Sequence, residues 1–96
     1  MICLPSEHFQ PRFPLGRVVI THGASETFSD EEVMQALSRH RRGDWGDLCE
    51  EDRQINNEAL RTGGRLLSSY LYHGVKLWII TEGDRSATTI LLPDEY

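Results

Sequence analysis

The spacing of hydrophobic residues changes once along this chain, and the change predicts an α+β fold. Between residues 29 and 62, apolar side chains recur every three or four positions, which is the period of an amphipathic helix. From residue 66 onward they follow the two-residue period of a strand. The predicted order is β-α-α-β-β-β: a short N-terminal strand, two helices and a three-stranded antiparallel meander.

The start of the first predicted helix carries a capping signal. Ser29 is followed three residues later by Glu32, the spacing at which each side chain caps the other residue's backbone N–H group. Basic residues fill the last turn before Gly43, where they complement the helix dipole. The sequence therefore predicts a helix over residues 29–42.

The second predicted helix covers residues 48–62. Asp47, with a glutamate three residues later, repeats the capping pattern and is the expected N-cap, and a pair of glycines stops the helical run. Ile55 and Ala59 share one face of this helix. We expect that face to pack on the core.

β-Branched and alternating segments predict four strands. The first is bounded by Gly16 and Gly23, and the last three are joined by two short turn sequences. His73 and Gly74 form the first turn, and residues 83–86 form the second. The strands are predicted over residues 17–21, 66–72, 75–82 and 87–92.

The two-residue turn fixes the register of the meander and therefore its two faces. Tyr72 pairs with Val75, and every second residue from this pair shares a face. The predicted core face carries Leu66, Tyr70, Leu77, Ile79, Ile90 and Leu92. The opposite face carries Leu67, Leu71, Trp78, Ile80 and Leu91. A half-exposed sheet would be polar there, so either a helix or the N-terminal segment covers this face, or it is an interaction surface. We favour the interaction surface, with self-pairing into a homodimer as its simplest form.

Three prolines mark an extended segment before the domain. Each of Pro5, Pro11 and Pro14 lacks a backbone donor and pushes the preceding residue out of helical space. We place this segment at residues 1–13 and a single domain at 14–96. The first residues are too few for a signal peptide, and no stretch approaches the ~18 apolar residues of a membrane span. We expect a cytoplasmic protein with no membrane partner.

The charge balance bears on the choice of partner. Fifteen acidic and ten basic side chains give a formal net charge of -5, which repels phosphate backbones and disfavours nucleic acid as a partner. The two cysteines, Cys3 and Cys49, form neither a metal-binding pair nor a disulfide framework. We interpret both as reduced thiols.

Polar residues at the junction of the predicted helices and in the last turn are candidates for an active site. The candidates are His40, Asp44, Trp45, Asp47, Glu82, Asp84 and Arg85. Their carboxylates could hold Mg²⁺, as in a metal-dependent nuclease or phosphotransfer enzyme, with Arg85 or Arg42 on the phosphate.

A structural interpretation accounts for the same residues more simply. Gly43 ends one helix, Asp47 caps the next, Trp45 fills the corner between them and His40 is a core contact. Residues 82–86 have the composition of a turn. We adopt this interpretation and predict no catalytic residue, no bound metal and no cofactor.

The chain resembles a family of short bacterial proteins described as plasmid-related, sometimes mislabelled as type I restriction subunit M. The resemblance covers residues 13–96. Its motifs are Phe13–Gly16, Arg39-His40, Gly43–Asp47, Gly64–Leu66, Trp78–Glu82, Asp84–Ser86, Thr88-Thr89, Leu91–Pro93 and Glu95-Tyr96. The chain departs from the family pattern at His22, where proline is expected, and at Gly83, where alanine is expected. The resemblance implies an accessory role on a mobile element, and it brings no catalytic residue or cofactor.

Three functions are compatible with these features. The first is a non-catalytic protein-interaction module, which could regulate or antagonise a host defence system. The second is the small nuclease or phosphotransfer enzyme that uses Asp44 and Asp47 with Glu82 and Asp84. The third is a DNA-binding regulator that uses the helix over 29–42, with Arg39, Arg41 and Arg42 at its end. We favour the first.

Overall fold

The computed structural model describes residues 12–96. The predicted α+β class is confirmed, and the predicted elements occur in the predicted order with one additional helix. The strands are β1 (Arg17–Ile20), β2 (Leu66–Tyr72), β3 (Val75–Thr81) and β4 (Ala87–Leu91). The helices are α1 (His22–Thr27), α2 (Asp30–Arg41) and α3 (Glu50–Thr62), and a 3-10 turn follows at Pro93–Glu95. Most of the predicted extended segment, together with Cys3, lies outside the described residues. Phe13, which we assigned to that segment, is a buried core residue.

Helix α1 was not predicted from the sequence. Thr21 caps it, since its Oγ1 accepts a hydrogen bond of 3.2 Å from the N–H of Ala24. The sequence pattern places Gly23 at the boundary of the first strand, whereas Gly23 lies inside this helix. A helix of six residues is less than two turns long, so its sequence shows no hydrophobic period.

Helix α2 begins as predicted. The N–H of Glu32 donates to Ser29 Oγ at 3.1 Å, and the N–H of Ser29 donates to Glu32 Oε1 at 2.9 Å. Both halves of the capping box are therefore present. Asp30 and Arg39 lie in the first and last turns, where their charges complement the helix dipole.

Helix α3 does not begin as predicted, and the expectation for Asp47 is wrong. The N-cap is Cys49, with no side-chain capping bond. At Asp47 the chain is still paired with β2, because its N–H donates to Ser69 O at 2.7 Å. The buried face also differs, since Asn56 and Ala59 are buried whereas Ile55 is exposed.

The sheet is mixed, with the strand order β1-β4-β3-β2. The predicted register of the meander is confirmed: Tyr72 pairs with Val75, and Ile79 pairs with Ile90. The turn between β2 and β3 has positive φ at both His73 (39°) and Gly74 (82°), as a type I′ hairpin requires. Strand β1, whose pairing the sequence leaves open, runs parallel to β4.

The predicted core face is buried beneath the helices. One cluster joins α1 and α2 to the sheet through Ala24, Phe28, Ala36, Tyr70, Leu77, Ile79 and Ile90, with Leu92 packed against it. A second cluster brings together Phe13, Trp45, Ala59 and Leu66. None of the helices within residues 12–96 is long and apolar enough to cross a membrane.

Candidate functional site

The candidate His40 lies at the centre of a buried chain of hydrogen bonds. Its Nδ1 is 2.5 Å from Ser68 Oγ, and its Nε2 is 2.9 Å from Thr81 Oγ1. Thr81 Oγ1 in turn lies 2.8 Å from Thr88 Oγ1, and the Thr88 hydroxyl donates to Leu15 O at 2.7 Å. His40 of α2 and three side chains of the sheet thus form one polar network inside the core.

The end of this network fixes the tautomer of His40. Because Leu15 O can only accept, Thr88 must receive its own hydrogen bond from the Thr81 hydroxyl. Thr81 then accepts from Nε2–H of His40, which leaves Nδ1 to accept from Ser68. The ring is a neutral imidazole with both nitrogens in use.

Burial keeps the His40 ring uncharged. Desolvation, with a smaller contribution from the nearby Arg85 guanidinium, lowers the pKa of His40 to about 3. The rings of Phe13 and Trp45 pack edge-on against it, with centroids 5.2 and 5.7 Å away. A buried imidazole with both nitrogens bonded is a structural group, not one poised to move a proton.

Asp44 is held by a guanidinium. Arg39 Nε and Nη2 donate to its two carboxylate oxygens at 2.7 and 3.3 Å, and the N–H of Gly46 donates to Oδ1 at 3.2 Å. These bonds, above all those from Arg39, lower the pKa of the Asp44 carboxyl. The Tyr70 hydroxyl donates to the backbone oxygen of Asp44. Metal binding at Asp44 would have to compete with Arg39.

The side chains of Trp45 and Asp47 lie in different environments. Trp45 is buried, stacks on Phe13 with ring centroids 6.3 Å apart, and donates its indole N–H to Asn57 Oδ1 at 3.0 Å. The Asp47 side chain is exposed.

The hairpin-loop candidates serve the loop and the end of α3. Arg85 donates to the backbone oxygens of Ala59 (2.9 Å), Gly64 (2.6 Å) and Glu82 (3.1 Å). Asp84 accepts from the N–H of Ser86 at 3.0 Å, and its hydrogen bonds with Ser86 lower the pKa of this carboxyl. The guanidinium proposed for phosphate binding thus caps the carbonyl end of a helix instead.

Within residues 12–96 no group of three or more His, Cys, Asp or Glu side chains is placed to hold a metal ion. The polar cleft beside Asp44 has a volume of about 340 Å³, and its other acidic lining residue is Glu50. Glu82 and Asp84 do not line this cleft. The structure does not bring the carboxylates of the enzyme hypothesis together there.

The first residue of the basic run at the end of α2 is also held by contacts within the fold. Arg39 is bound to Asp44, and its guanidinium lies 4.6 Å from the centroid of the Tyr70 ring. The backbone oxygen of Arg41 accepts from the N–H of Arg12 at 2.8 Å. Arg39, the first guanidinium of the run, is therefore part of the fold.

The predicted interaction surface divides into a buried and an accessible part. Ile80 and Leu91 are buried, Leu67 and Trp78 are half-buried, and Leu71 is exposed. The C-terminal Tyr96 lies over this face, with its ring centroid 6.0 Å from that of Trp78. A short piece of the chain's own C-terminal end therefore covers part of the apolar face.

An open cleft of about 320 Å³ separates this face from α3. Its apolar lining residues are Leu48, Ile55, Leu66, Leu67, Trp78, Ile80 and Tyr96. Arg65 fixes one side: it donates to the Tyr96 hydroxyl at 2.8 Å and lies 3.8 Å from the Glu82 carboxylate. Asp52 lines the other side.

Ile55 and Tyr96 line this cleft but are not among the interaction-surface residues predicted from the sequence. Ile55 was expected in the core, yet it stands 63% exposed at the mouth of the cleft. Tyr96 was not assigned to any surface, although an aromatic residue so close to the end of a strand can fold back on it. No local signal gives the exposure of Ile55, because it accompanies the burial of its neighbour Asn56, which bonds Leu67 eleven residues away.

We also compared the chain with known proteins. No model of a protein family, no curated protein and no solved structure matches it.

Proposed function

We propose that this chain is a non-catalytic protein-interaction module, which binds a segment of another protein in the cleft between α3 and the sheet. The observation that carries the proposal is the open apolar wall formed by Ile55, Leu67, Trp78 and Tyr96. Aromatic side chains in partly buried pockets are the usual anchors of protein interfaces. The expected anchor is an aliphatic or aromatic side chain of the bound protein.

The charges beside the cleft favour a basic segment. Glu51 and Asp52 line the shallow groove next to Ile55. The other charged residues of that groove have partners, since Glu58 pairs with Arg61 and Arg65 pairs with Glu82. The net charge of -5 adds a long-range attraction for a cationic partner. The occupant that fits is therefore an apolar anchor flanked by lysine or arginine.

A peptide selection tests this proposal. The immobilised chain is used to select from a displayed library of random peptides, and the enriched peptides are synthesised and titrated calorimetrically. We expect enriched sequences to combine an aromatic or aliphatic residue with lysine or arginine, and Ile55→Glu to weaken their binding at least ~10-fold.

Met34→Glu is the matched control. Met34 is 64% exposed on α2, against 63% for Ile55 on α3, so the two variants place the same charge at equally open helix positions. Met34→Glu should leave peptide binding unchanged. Enrichment of acidic peptides, or equal binding by Ile55→Glu and the wild type, would contradict the proposal.

For the biological setting we propose an accessory protein of a mobile element, which regulates or antagonises a host defence system. The support is the resemblance of residues 13–96 to plasmid-related proteins. Transformation of a restricting bacterial host with unmodified plasmid tests it. Expression of the wild type should raise the efficiency and Ile55→Glu should not; an equal efficiency with and without the wild type would contradict this setting.

A further inference from the structure

The outward backbone groups on the two edges of the sheet differ in their hydrogen-bond partners. On β2, Asn56 and the residues around Gly46 bond the outward backbone groups. On β1, the N–H of Arg17 donates to Ser86 O and the N–H of Thr21 donates to Ile90 O, both toward β4. Because backbone groups alternate along a strand, those of the intervening Val18 and Ile20 point away from the sheet.

Within the described residues 12–96, this β1 edge is both open and apolar. Val18, Val19 and Ile20 are 43%, 39% and 41% exposed. Apart from Arg17 at its start, the strand carries no charged residue, and it has no proline to protect the edge. Beside it, between β1 and α2, lies a groove of about 450 Å³ whose rim includes the exposed Met34.

We propose that the β1 edges of two copies pair antiparallel about a two-fold axis at Val19, which joins the two sheets into one continuous sheet. Val18 of each copy then lies opposite Ile20 of the other, and Arg17 lies opposite Thr21. The occupant of the open edge is thus a second copy of this chain.

Two requirements limit the choice of register. First, residues that lie opposite each other in the two copies must share one face of the joined sheet. Because side chains alternate between the faces along a strand, the two residue numbers must both be odd or both be even. Second, residues that exchange hydrogen bonds must be Val18 and Ile20, whose backbone groups point outward. The registers centred on Val18 or on Ile20 also meet both requirements, but each pairs only one outward residue of β1 within the strand. Pairing Val18 with Ile20 uses both outward residues and places Val19 against itself in a non-hydrogen-bonded pair.

The charges at the ends of the paired strands are complementary. Arg17 makes no side-chain hydrogen bond or ion pair with the described residues. The residue opposite it, Thr21, donates its hydroxyl to the carboxylate of Glu95 at 2.5 Å. That carboxylate also accepts from the N–H of Gly23 at 3.1 Å, which fixes its position. Arg17 of one copy therefore meets Glu95 of the other, once at each end of the paired strands.

The grooves beside β1 add apolar contact. Val18 and Ile20 share the face of the sheet that carries α2, since they pair with Thr88 and Ile90. A two-fold axis perpendicular to the sheet brings the two grooves together on that face. Met34 of each copy then closes the rim of the other groove, and its flexible side chain suits such a contact.

Hydrogen exchange and mass measurements on the wild-type chain test the pairing without any substitution. Sedimentation and light scattering are recorded between about 1 and about 200 µM. Over this range a dimer with a micromolar dissociation constant changes from mostly monomer to mostly dimer. We expect the mass to rise to that of a dimer, and the amides of Val18 and Ile20 to exchange at least ~10-fold more slowly at the high concentration. A monomer throughout, for example because residues 1–11 cover the edge, would overturn the proposal.

Charged variants at the axis test the register. Because Val19 faces its own copy, Val19→Lys and Val19→Glu should each be monomeric at concentrations where the wild type is a dimer. An equal mixture of the two should form a heterodimer, since unlike charges then meet at the axis. If both variants dimerise as the wild type does, or if the mixture stays monomeric, the register is wrong.

Ile55→Glu separates this inference from the proposed function. It changes the peptide cleft and lies away from β1, so it should dimerise like the wild type. A dimer that Ile55→Glu dissociates and Val19→Lys does not would place self-association on the cleft face and overturn the β1 pairing. Loss of peptide binding in a variant that still dimerises affects the proposed function alone.

Discussion

The side chain of Asn56, on α3, bonds both backbone groups of Leu67, on the outer edge of β2. Its Nδ2 donates to Leu67 O at 2.6 Å, and the N–H of Leu67 donates to its Oδ1 at 3.2 Å. The amide thus imitates one residue of a neighbouring strand. The segment around Gly46 extends this strand-like pairing, because the residues on either side of it, Trp45 and Asp47, bond the backbone of Ser69.

We expect Asn56→Asp to destabilise the chain by about 2–3 kcal/mol. A carboxylate keeps the size and the acceptor but has no hydrogen to donate, so Leu67 O would face a negative charge in a buried position. Urea unfolding at neutral pH measures the loss. The exposed Gln54→Glu, two residues earlier on α3, makes the same type of change and should cost no more than about 0.5 kcal/mol.

Asn56→Asp should also make the protein aggregate at lower concentration. Opening the Leu67 backbone groups exposes a second sheet edge. Light scattering of folded samples below the unfolding transition detects this effect. Equal stability and equal scattering for Asn56→Asp and Gln54→Glu would show that the amide does not protect the edge.

Gly46 can be tested against a glycine of similar backbone conformation. A Cβ at Gly46 would lie 2.0 Å from Ser69 O, whereas a Cβ at Gly74 would meet nothing within 4 Å. Their φ angles are 77° and 82°, so alanine is strained by a similar amount at both positions. We expect Gly46→Ala to cost at least ~2 kcal/mol more than Gly74→Ala, because only the first must break the pairing with β2. Similar losses would mean that the pairing adds nothing to stability.

The features that could be predicted from the sequence are local ones. The capping box of Ser29 and Glu32 lies within four residues, and the turn at His73 and Gly74 fixes the β2–β3 register by its own length. In both cases the chemistry that decides the structure is adjacent in the chain. Periodicity then assigned the core face of the meander correctly.

The features that could not be predicted depend on residues distant in sequence. The parallel pairing of β1 with β4 joins Arg17 to Ala87, and nothing in either segment specifies the other. The bonds of Asn56 with Leu67 span eleven residues and rotate α3 so that Ile55 faces outward. Asp47 matched a capping pattern, yet its backbone was already committed to Ser69. Tertiary pairing overrode a local preference there.

The two aspartates of the helix junction should therefore differ. We expect Asp47→Ala to change stability by no more than about 0.5 kcal/mol, because its exposed side chain does not cap α3. Asp44→Ala should cost about 1 kcal/mol, since it loses both Arg39 and the N–H of Gly46, on a partly exposed site. Thermal unfolding of the two variants side by side decides the matter. A larger loss for Asp47→Ala would restore it as the cap of α3.

The buried His40 makes the stability of the whole chain depend on pH. Its folded pKa of about 3 lies below its ordinary value of 6.5, so the folded ring stays neutral where the unfolded ring takes up a proton. Above pH 6.5 both states are neutral and stability is at its full value. As the pH falls from 6.5 toward 3, the unfolded state binds the additional proton and stability is lost, by up to about 1.4 kcal/mol per pH unit.

The carboxylates whose folded pKa values are lowered act in a more acidic range. Asp44, Asp84, Glu32 and Glu95 contribute stability that is present above their ordinary pKa values near 4 and is lost as the pH falls below them. Between pH 6.5 and about 4.5, His40 is therefore the one of these groups whose protonation changes the stability. Urea unfolding at several pH values in that interval should show a free energy of unfolding that falls by about 2 kcal/mol.

Two variants test the origin of this pH dependence. They show whether His40 causes it, and whether the burial or the hydrogen bonds of the ring set the slope of the free energy of unfolding against pH. His40→Gln has no titrating ring, so its stability should be lower at neutral pH and nearly constant across the interval. Ser68→Ala removes the hydroxyl that donates to Nδ1 but leaves the ring buried, and because desolvation is the main reason for the lowered pKa, most of the slope should remain. A wild-type slope that persists in His40→Gln would assign the pH dependence to another group, and a slope abolished in Ser68→Ala would assign it to the hydrogen bond instead of burial.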